Sequence, residues 1–373
     1  MKRIFSSGWH VALTALIGTA TIAASHWFLS SGLLQHALLA IGAVAVVFLP
    51  VGLLLLVVSS PNGGKTIAER VGATPLPADS LEPLRLAWNS DADPAWPAAE
   101  TLASMSQTAY LSPVVAEPCL RALGFDHIET VVQGSMLGYV ASQGDVTVVA
   151  FRGTDDIPGW FVDLDELATP TPHGDIHRGF YDAYQSLKPQ ITAVLAQSRP
   201  KHLWLTGHSL GGALALVCAY DLIENQQRAV DGVITLGQPM VACRQLAAYL
   251  DRLLCGRYAY FVNEADIVPR VPPPPYAHCG SLVWFTEDGI RLSRQGKPVL
   301  AAAADAAAPA QAKLLPPVDR EEFQRLKSGL RADLGKLDRL PKGSGTLWKD
   351  IPCFADHAVE RYVDRVRGLF EKT

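Results

Sequence analysis

Leu203-Trp204-Leu205-Thr206-Gly207-His208-Ser209-Leu210-Gly211-Gly212-Ala213 sets an apolar strand, a Gly-x-Ser-x-Gly turn and the start of a helix end to end. A serine hydroxyl is a poor nucleophile unless it is held exposed and within reach of a base. A sharp strand-to-helix turn does this, but it needs a strained backbone and close chain approach, which residues without a Cβ tolerate best at the flanking positions. Gly207 and Gly211 therefore serve the geometry, and Ser209 the chemistry. The bare pattern also arises in glycine-rich turns with an incidental serine. The context favours the elbow: the apolar run His202 to Thr206 precedes it, and Ala213, Leu214, Leu216, Val217 and Tyr220 follow at helical spacing. A helix from about Leu210 to Glu224 aims its N-terminal N–H groups and dipole at the place where an oxyanion would form, with the N–H of Leu210 as one donor.

The 373 residues suffice for one large α/β domain and an appendage. From Ile4 to Gly64 the chain has no Asp, Glu, Lys or Arg, and two apolar blocks, Trp9 to Leu29 and Leu33 to Val58, flank Ser30-Ser31-Gly32. Each exceeds the roughly 20 residues that a helix needs to cross a bilayer. A transmembrane hairpin over 1–60 is expected, followed by a Pro-, Ala- and Asp-rich linker over 61–99. Lys2-Arg3 before the first block and Ala23-Ala24-Ser25 within it also fit a signal sequence, although the second block would still stop transfer. The flanking charges, Lys2, Arg3, Lys65 and Arg70, put both ends in the cytoplasm by the positive-inside rule. This predicts a multi-pass membrane protein whose soluble domain faces the cytoplasm.

A net charge of −4 without a basic cluster argues against nucleic acid as a partner. The six cysteines are scattered without Cys-x-x-Cys pairs, which argues against metal binding and for reduced thiols. Glu100 to Leu123 reads as helical. Val131 to Ala141, Asp145 to Phe151, Gly232 to Leu236 and Arg257 to Val262 read as strands, the near-continuous apolar ones suited to a sheet covered on both faces. Ile157, Trp160, Phe161 and Leu164 make one apolar face of a short helix, with Asp155 or Asp156 as N-cap and Pro158 in its first turn.

Phe151-Arg152-Gly153-Thr154-Asp155-Asp156 resembles the oxyanion segment of the class 3, or fungal-type, lipases. His177-Arg178-Gly179-Phe180, Gly237-Gln238-Pro239, Asn263-Glu264-Ala265-Asp266-Ile267-Val268-Pro269 and Asp356-His357 with Tyr362 are similar to further family segments in the same order. The resemblance covers about Glu100 to Phe285 and again Asp350 to Phe370. It implies an α/β-hydrolase fold with a mostly parallel central sheet. It also implies that Thr154 and Leu210 hold the oxyanion and that the Ile157–Leu164 face belongs to a lid, a fixed core helix being the plain alternative. Asp266 then orients the base, with Glu264 as the competing acid, His357 is the general base, and His177 has a supporting structural role. His10, His26 and His36 lie in or beside the apolar blocks, His208 points away from Ser209, and His278 follows a proline run.

Between Thr286 and Lys349 the resemblance lapses. This segment reads as an insertion with an Ala-rich stretch at Ala301 to Ala312 and an amphipathic helix at Asp319 to Leu340, with Phe323, Leu326, Leu330 and Leu334 on one side. It would fold over the site, lie on the membrane or remain solvated. The expected activity is hydrolysis of lipid esters drawn from the bilayer, acylglycerols first, by a Ser209–Asp266–His357 triad needing no cofactor or metal. A phospholipase A1, a general carboxylesterase, an acyltransferase and a catalytically silent membrane scaffold are the alternatives.

Overall fold

A computed structural model describes residues 96–293, 300–301, 316–337 and 352–369. All of them belong to Thr66–Thr373, the second of the two units into which the chain divides. The membrane hairpin over 1–60, most of the linker and most of the Ala-rich stretch lie outside the described residues. Among the described residues no helix is long and apolar enough to cross a membrane.

Helix α1 (Trp96–Thr108) starts inside the stretch read as linker, and α2 (Pro113–Ala122) follows. The single helical run expected over Glu100 to Leu123 is thus broken. The residue before a proline is driven out of the helical region, and Ser112 has φ −63 and ψ 154. Strands β1 (His127–Gln133) and β2 (Met136–Gln143) form a hairpin where one strand was expected, because Gly134, at φ +58, turns the chain. After β3 (Val146–Phe151) come α3 (Ile157–Asp163), β4 (Ala168–Thr171), β5 (Gly174–His177) and the long α4 (Arg178–Ser198). The elbow joins β6 (His202–His208) to α5 (Leu210–Glu224). There follow β7 (Gly232–Leu236), β8 (Ala242–Cys243), α6 (Arg244–Leu253), β9 (Tyr258–Asn263), β10 (Tyr276–Ala277), β11 (Ser281–Thr286), β12 (Gly289–Ser293) and β13 (Leu300–Ala301). The described chain closes with α7 (Arg320–Leu337), a 3-10 helix (Pro352–His357) and α8 (Val359–Arg367).

The main sheet runs β1-β2-β3-β6-β7-β9-β11-β12-β13. Its five central strands, β3 to β11 in that order, are parallel, and the pairs on either side are antiparallel. This matches the expected α/β layering with a parallel centre. A small antiparallel sheet, β10-β8-β5-β4, has no counterpart in the sequence reading, because its strands are only two to four residues long and carry no visible alternation.

Both faces of the parallel strands are covered, which is why they are apolar throughout. In β6, Leu203 and Leu205 join the core under α4 and α5, whereas Trp204 packs into the opposite core with Leu102 and Met105 of α1 and Tyr362 and Val363 of α8. Gly232 on β7 makes room for the Trp204 ring: a Cβ there would lie 2.2 Å from it. In α5 every residue from Leu210 to Leu222 is buried. That buried helix fixes the elbow, because its first turn cannot shift without disturbing both strand neighbours. Cys119, Cys218, Cys243, Cys255 and Cys279 form no disulfide.

Candidate active site

Ser209 sits between β6 and α5 at φ 58 and ψ −128, a strained conformation for a residue with a side chain. The two glycines permit it. A Cβ on Gly207 would lie 2.3 Å from the Gly211 carbonyl carbon, and one on Gly211 would lie 2.2 Å from the Phe151 oxygen. The Ser209 N–H donates to the Leu236 carbonyl at 2.9 Å, which ties the elbow to the end of β7.

Asp266 lies in the turn after β9, and its oxygens accept three hydrogen bonds. Val268 N–H donates to Oδ1 at 2.9 Å, while the Tyr362 hydroxyl at 2.6 Å and His357 Nδ1 at 2.7 Å share Oδ2. A carboxylate only accepts, so His357 carries its proton on Nδ1, and Nε2 presents a lone pair. The Asp266–His357 pair rests against Gly237, where a Cβ would be 3.0 Å from His357 Cε1 and 3.1 Å from Asp266 Oδ2. Gly237 follows Leu236, whose carbonyl holds the elbow. Leu236 holds the Ser209 N–H and Gly237 packs against the Asp266–His357 pair, so the three predicted triad residues lie beside one loop, with Ser209 Oγ not hydrogen-bonded to His357 and all three 0% exposed. Glu264, the competing acid, instead pairs with Arg365.

Leu210 is the first residue of α5, so its N–H has no acceptor within the helix. The Thr154 hydroxyl is turned into its own loop and accepts from the Asp156 N–H at 3.2 Å. In this conformation the backbone of Thr154, not its hydroxyl, is what the loop can offer an oxyanion.

The Ile157–Leu164 segment forms the expected helix, α3, with Asp156 as N-cap accepting from Gly159 N–H at 2.9 Å. Ile157, Phe161 and Leu164 are buried, and the half-buried Trp160 stacks on Phe180. Their cover is α7 of the insertion. Phe161 lies 5.5 Å from both Phe323 of α7 and Phe354, which precedes His357 by three residues. Lys327 donates to the Leu164 carbonyl at 2.5 Å, and Arg331 to the Val162 carbonyl at 3.4 Å. Helix α3 has no basic residue in its own last turn, so cations from α7 satisfy its C-terminal carbonyls. Of the three placements open to the amphipathic helix, the structure has it packed on α3, with Phe323 and Leu330 buried. The elbow serine, expected to be exposed, is fully buried.

His177 is buried as a supporting residue, its Nε2 donating to the Asp165 carbonyl at 2.8 Å, and burial lowers its pKa. His278 donates to the Pro269 carbonyl at 2.7 Å and stacks on Tyr260. A cavity of about 220 Å³ adjoins Asp266, walled in part by Tyr260, Val262, Tyr276 and Trp284. Sequence reasoning missed two residues at the centre. Tyr110 hydrogen-bonds His208 Nδ1 at 2.8 Å, and His208 Nε2 reaches the His357 carbonyl at 2.8 Å. The only signal for His208 was its place beside the nucleophile, and Tyr110 carried none. Among the described residues no group of three or more His, Cys, Asp or Glu side chains is arranged to hold a metal ion.

Residues 148–276 match the family described as Lipase (class 3). A lipase of Rhizomucor miehei is 29% identical over 208 residues, which is 50% of this chain and 57% of that protein. A secreted mono- and diacylglycerol lipase of Malassezia restricta is 33% identical over 113 residues, 29% of this chain and 38% of the relative. The chain thus spans little more than half of the first of these relatives and less of the second. Among solved structures, a lipase from Rhizopus microsporus var. chinensis superposes with a TM-score of 0.46 at 25% identity, over 53% of this chain and 77% of that one. His357 lies outside the matched segment, while Thr154, Ser209 and Asp266 lie inside it; over that segment the chain is similar to the class 3 lipases.

Proposed function

We propose that this protein is a serine ester hydrolase that cleaves carboxylic esters of lipids, acylglycerols first among them. The observation that carries the reading is the 2.7 Å hydrogen bond between Asp266 and His357, formed beside an elbow serine held at φ 58. Ser209 attacks the ester carbonyl while His357 Nε2 takes its proton. The N–H groups of Leu210 and Thr154 hold the oxyanion, and His357 returns the proton to the leaving alcohol. Water activated by the same histidine then releases the acyl group. The named lipase relatives, one of them acting on mono- and diacylglycerols, favour acylglycerol over phospholipid.

Helix α3 is the lid and moves with α7, since α7 supplies its apolar seat and its C-terminal cap. The two apolar blocks before Gly64 anchor the enzyme in the membrane as a multi-pass hairpin, with the catalytic domain on the cytoplasmic side. That arrangement supplies substrate from the bilayer.

The test is hydrolysis by the detergent-purified full chain, wild type beside Ser209→Ala, of p-nitrophenyl esters, acylglycerols and phospholipids. Activity that disappears in the folded variant is expected, with acylglycerols preferred. Equal inertness of both proteins would overturn the reading in favour of a silent scaffold, and a phospholipid preference would replace acylglycerol as the substrate. Loss of membrane sedimentation on deleting residues 1–60 tests the anchor.

A further inference from the structure

The general base does not sit on the sheet. His357 ends a 3-10 helix, Pro352–His357, so its position depends on side-chain bonds rather than on strand register. Asp266 holds one edge of its ring. The His357 main chain is held separately, through the His208 side chain.

The direction of that support follows from chemistry. The His357 carbonyl can only accept, so His208 carries a proton on Nε2, and in the neutral ring Nδ1 is a lone pair. The Tyr110 hydroxyl must then be the donor to Nδ1. Burial, with help from the nearby Asp155 carboxylate, raises the Tyr110 pKa, so the phenol keeps its proton. The hydroxyl has a second neighbour. A Cβ on Gly153 would lie 2.1 Å from the Tyr110 oxygen and 2.7 Å from the His208 carbonyl, so the loop leading to Thr154 is seated directly on this pair. The rings of His208 and His357 are 4.5 Å apart. One phenol and one imidazole therefore touch the oxyanion loop, the elbow and the main chain of the general base.

We propose that Tyr110 and His208 are positioning residues. The directed chain from the Tyr110 hydroxyl through His208 to the His357 carbonyl sets the reach of His357 Nε2 to Ser209 and keeps Gly153 and Thr154 in register with it. This rests on reading Ser209 and His357 as the reacting pair.

The test uses Tyr110→Phe, His208→Phe and the double variant in the full chain, with folding checked by thermal melts. Because misplacement of a reacting group costs rate rather than binding, kcat on a p-nitrophenyl ester is expected to fall roughly tenfold in each single variant with KM within about twofold. The double variant should be no slower than His208→Phe, since the two residues act in series. Losses that multiply, a KM that rises in step with the fall in kcat, or a kcat within about twofold of wild type would overturn the proposal. If His208→Phe does not fold, Tyr110→Phe, which removes one oxygen, decides alone. A readout independent of turnover is the downfield proton resonance of the Asp266–His357 hydrogen bond. It should move in Tyr110→Phe, and an unchanged resonance would overturn the proposal even in a chain that hydrolyses no ester. A chain inert on every ester whose resonance does move would defeat the hydrolase reading and leave the positioning intact.

Discussion

Asp266 and His357 are 91 residues apart in sequence, yet Oδ2 of one lies 2.7 Å from Nδ1 of the other, and neither is exposed. Two further donors to Asp266, Val268 N–H and the Tyr362 hydroxyl, fix the carboxylate, so the imidazole tautomer follows from its position. Asp266→Asn is expected to invert that tautomer and lower kcat by about 10⁴-fold with little change in KM. Steady-state kinetics on a soluble ester checks this, and a loss below tenfold would exclude Asp266 as the orienting acid.

The cost of adding a methyl at a glycine should depend on local space as well as on φ. Gly211→Ala would place a Cβ 2.2 Å from the Phe151 oxygen and is expected to destabilise the fold by about 3 kcal/mol. Gly134 has φ +58 but nothing within 4 Å of a built Cβ, so Gly134→Ala should cost only about 1 kcal/mol. Urea melts of the two variants give the comparison.

Helix α7 packs on α3, and Ser209 is fully buried. Lys327→Met removes the donor to the Leu164 carbonyl, and Phe323→Ala empties the seat of Phe161. Both are expected to speed modification of Ser209 by a small fluorophosphonate several-fold in the absence of lipid, with the Phe323 change also costing about 3 kcal/mol of stability. Unchanged labelling rates would show that α7 does not hold the cover.

Asp221, at the end of α5, is buried and accepts from Tyr184, Lys188, Asn225 and Gln226. Burial pushes its pKa up, but these bonds outweigh it and hold the group below the ordinary 3.8. A depressed folded pKa contributes stability above the unfolded value, and that contribution is lost as pH falls through the folded one. Asp221→Ala should therefore cost about 3 kcal/mol at pH 7. The gap to wild type should narrow below pH 3.8 in a melt series.

The elbow was legible in the sequence because its constraint is local. Strand, glycine spacing and helix lie within Leu203 to Glu224, and steric exclusion at Gly207 and Gly211 acts between neighbours in the chain. Strands covered on both faces announced themselves by continuous apolar runs. Asp266 and His357 were read largely through motif likeness, which already put Asp266 ahead of Glu264, and the structure pairs Glu264 with Arg365. The short strands of the second sheet and the turn that splits β1 from β2 escaped, since two to four residues carry too little periodicity to read.

By itself the sequence determined the layering, the elbow turn at Ser209 and its helix, and the amphipathic character of α3 and α7. Each of these depends on side-chain period or on sterics within one element. Only the tertiary structure decided that α7 lies on α3, that the Thr154 hydroxyl turns into its own loop, and that Tyr110 and His208 support His357. Those are contacts between elements 98 to 169 residues apart, or choices between competing acceptors. A hydrogen bond or an aromatic seat is selected by the position of its partner in space, and no local pattern encodes that position.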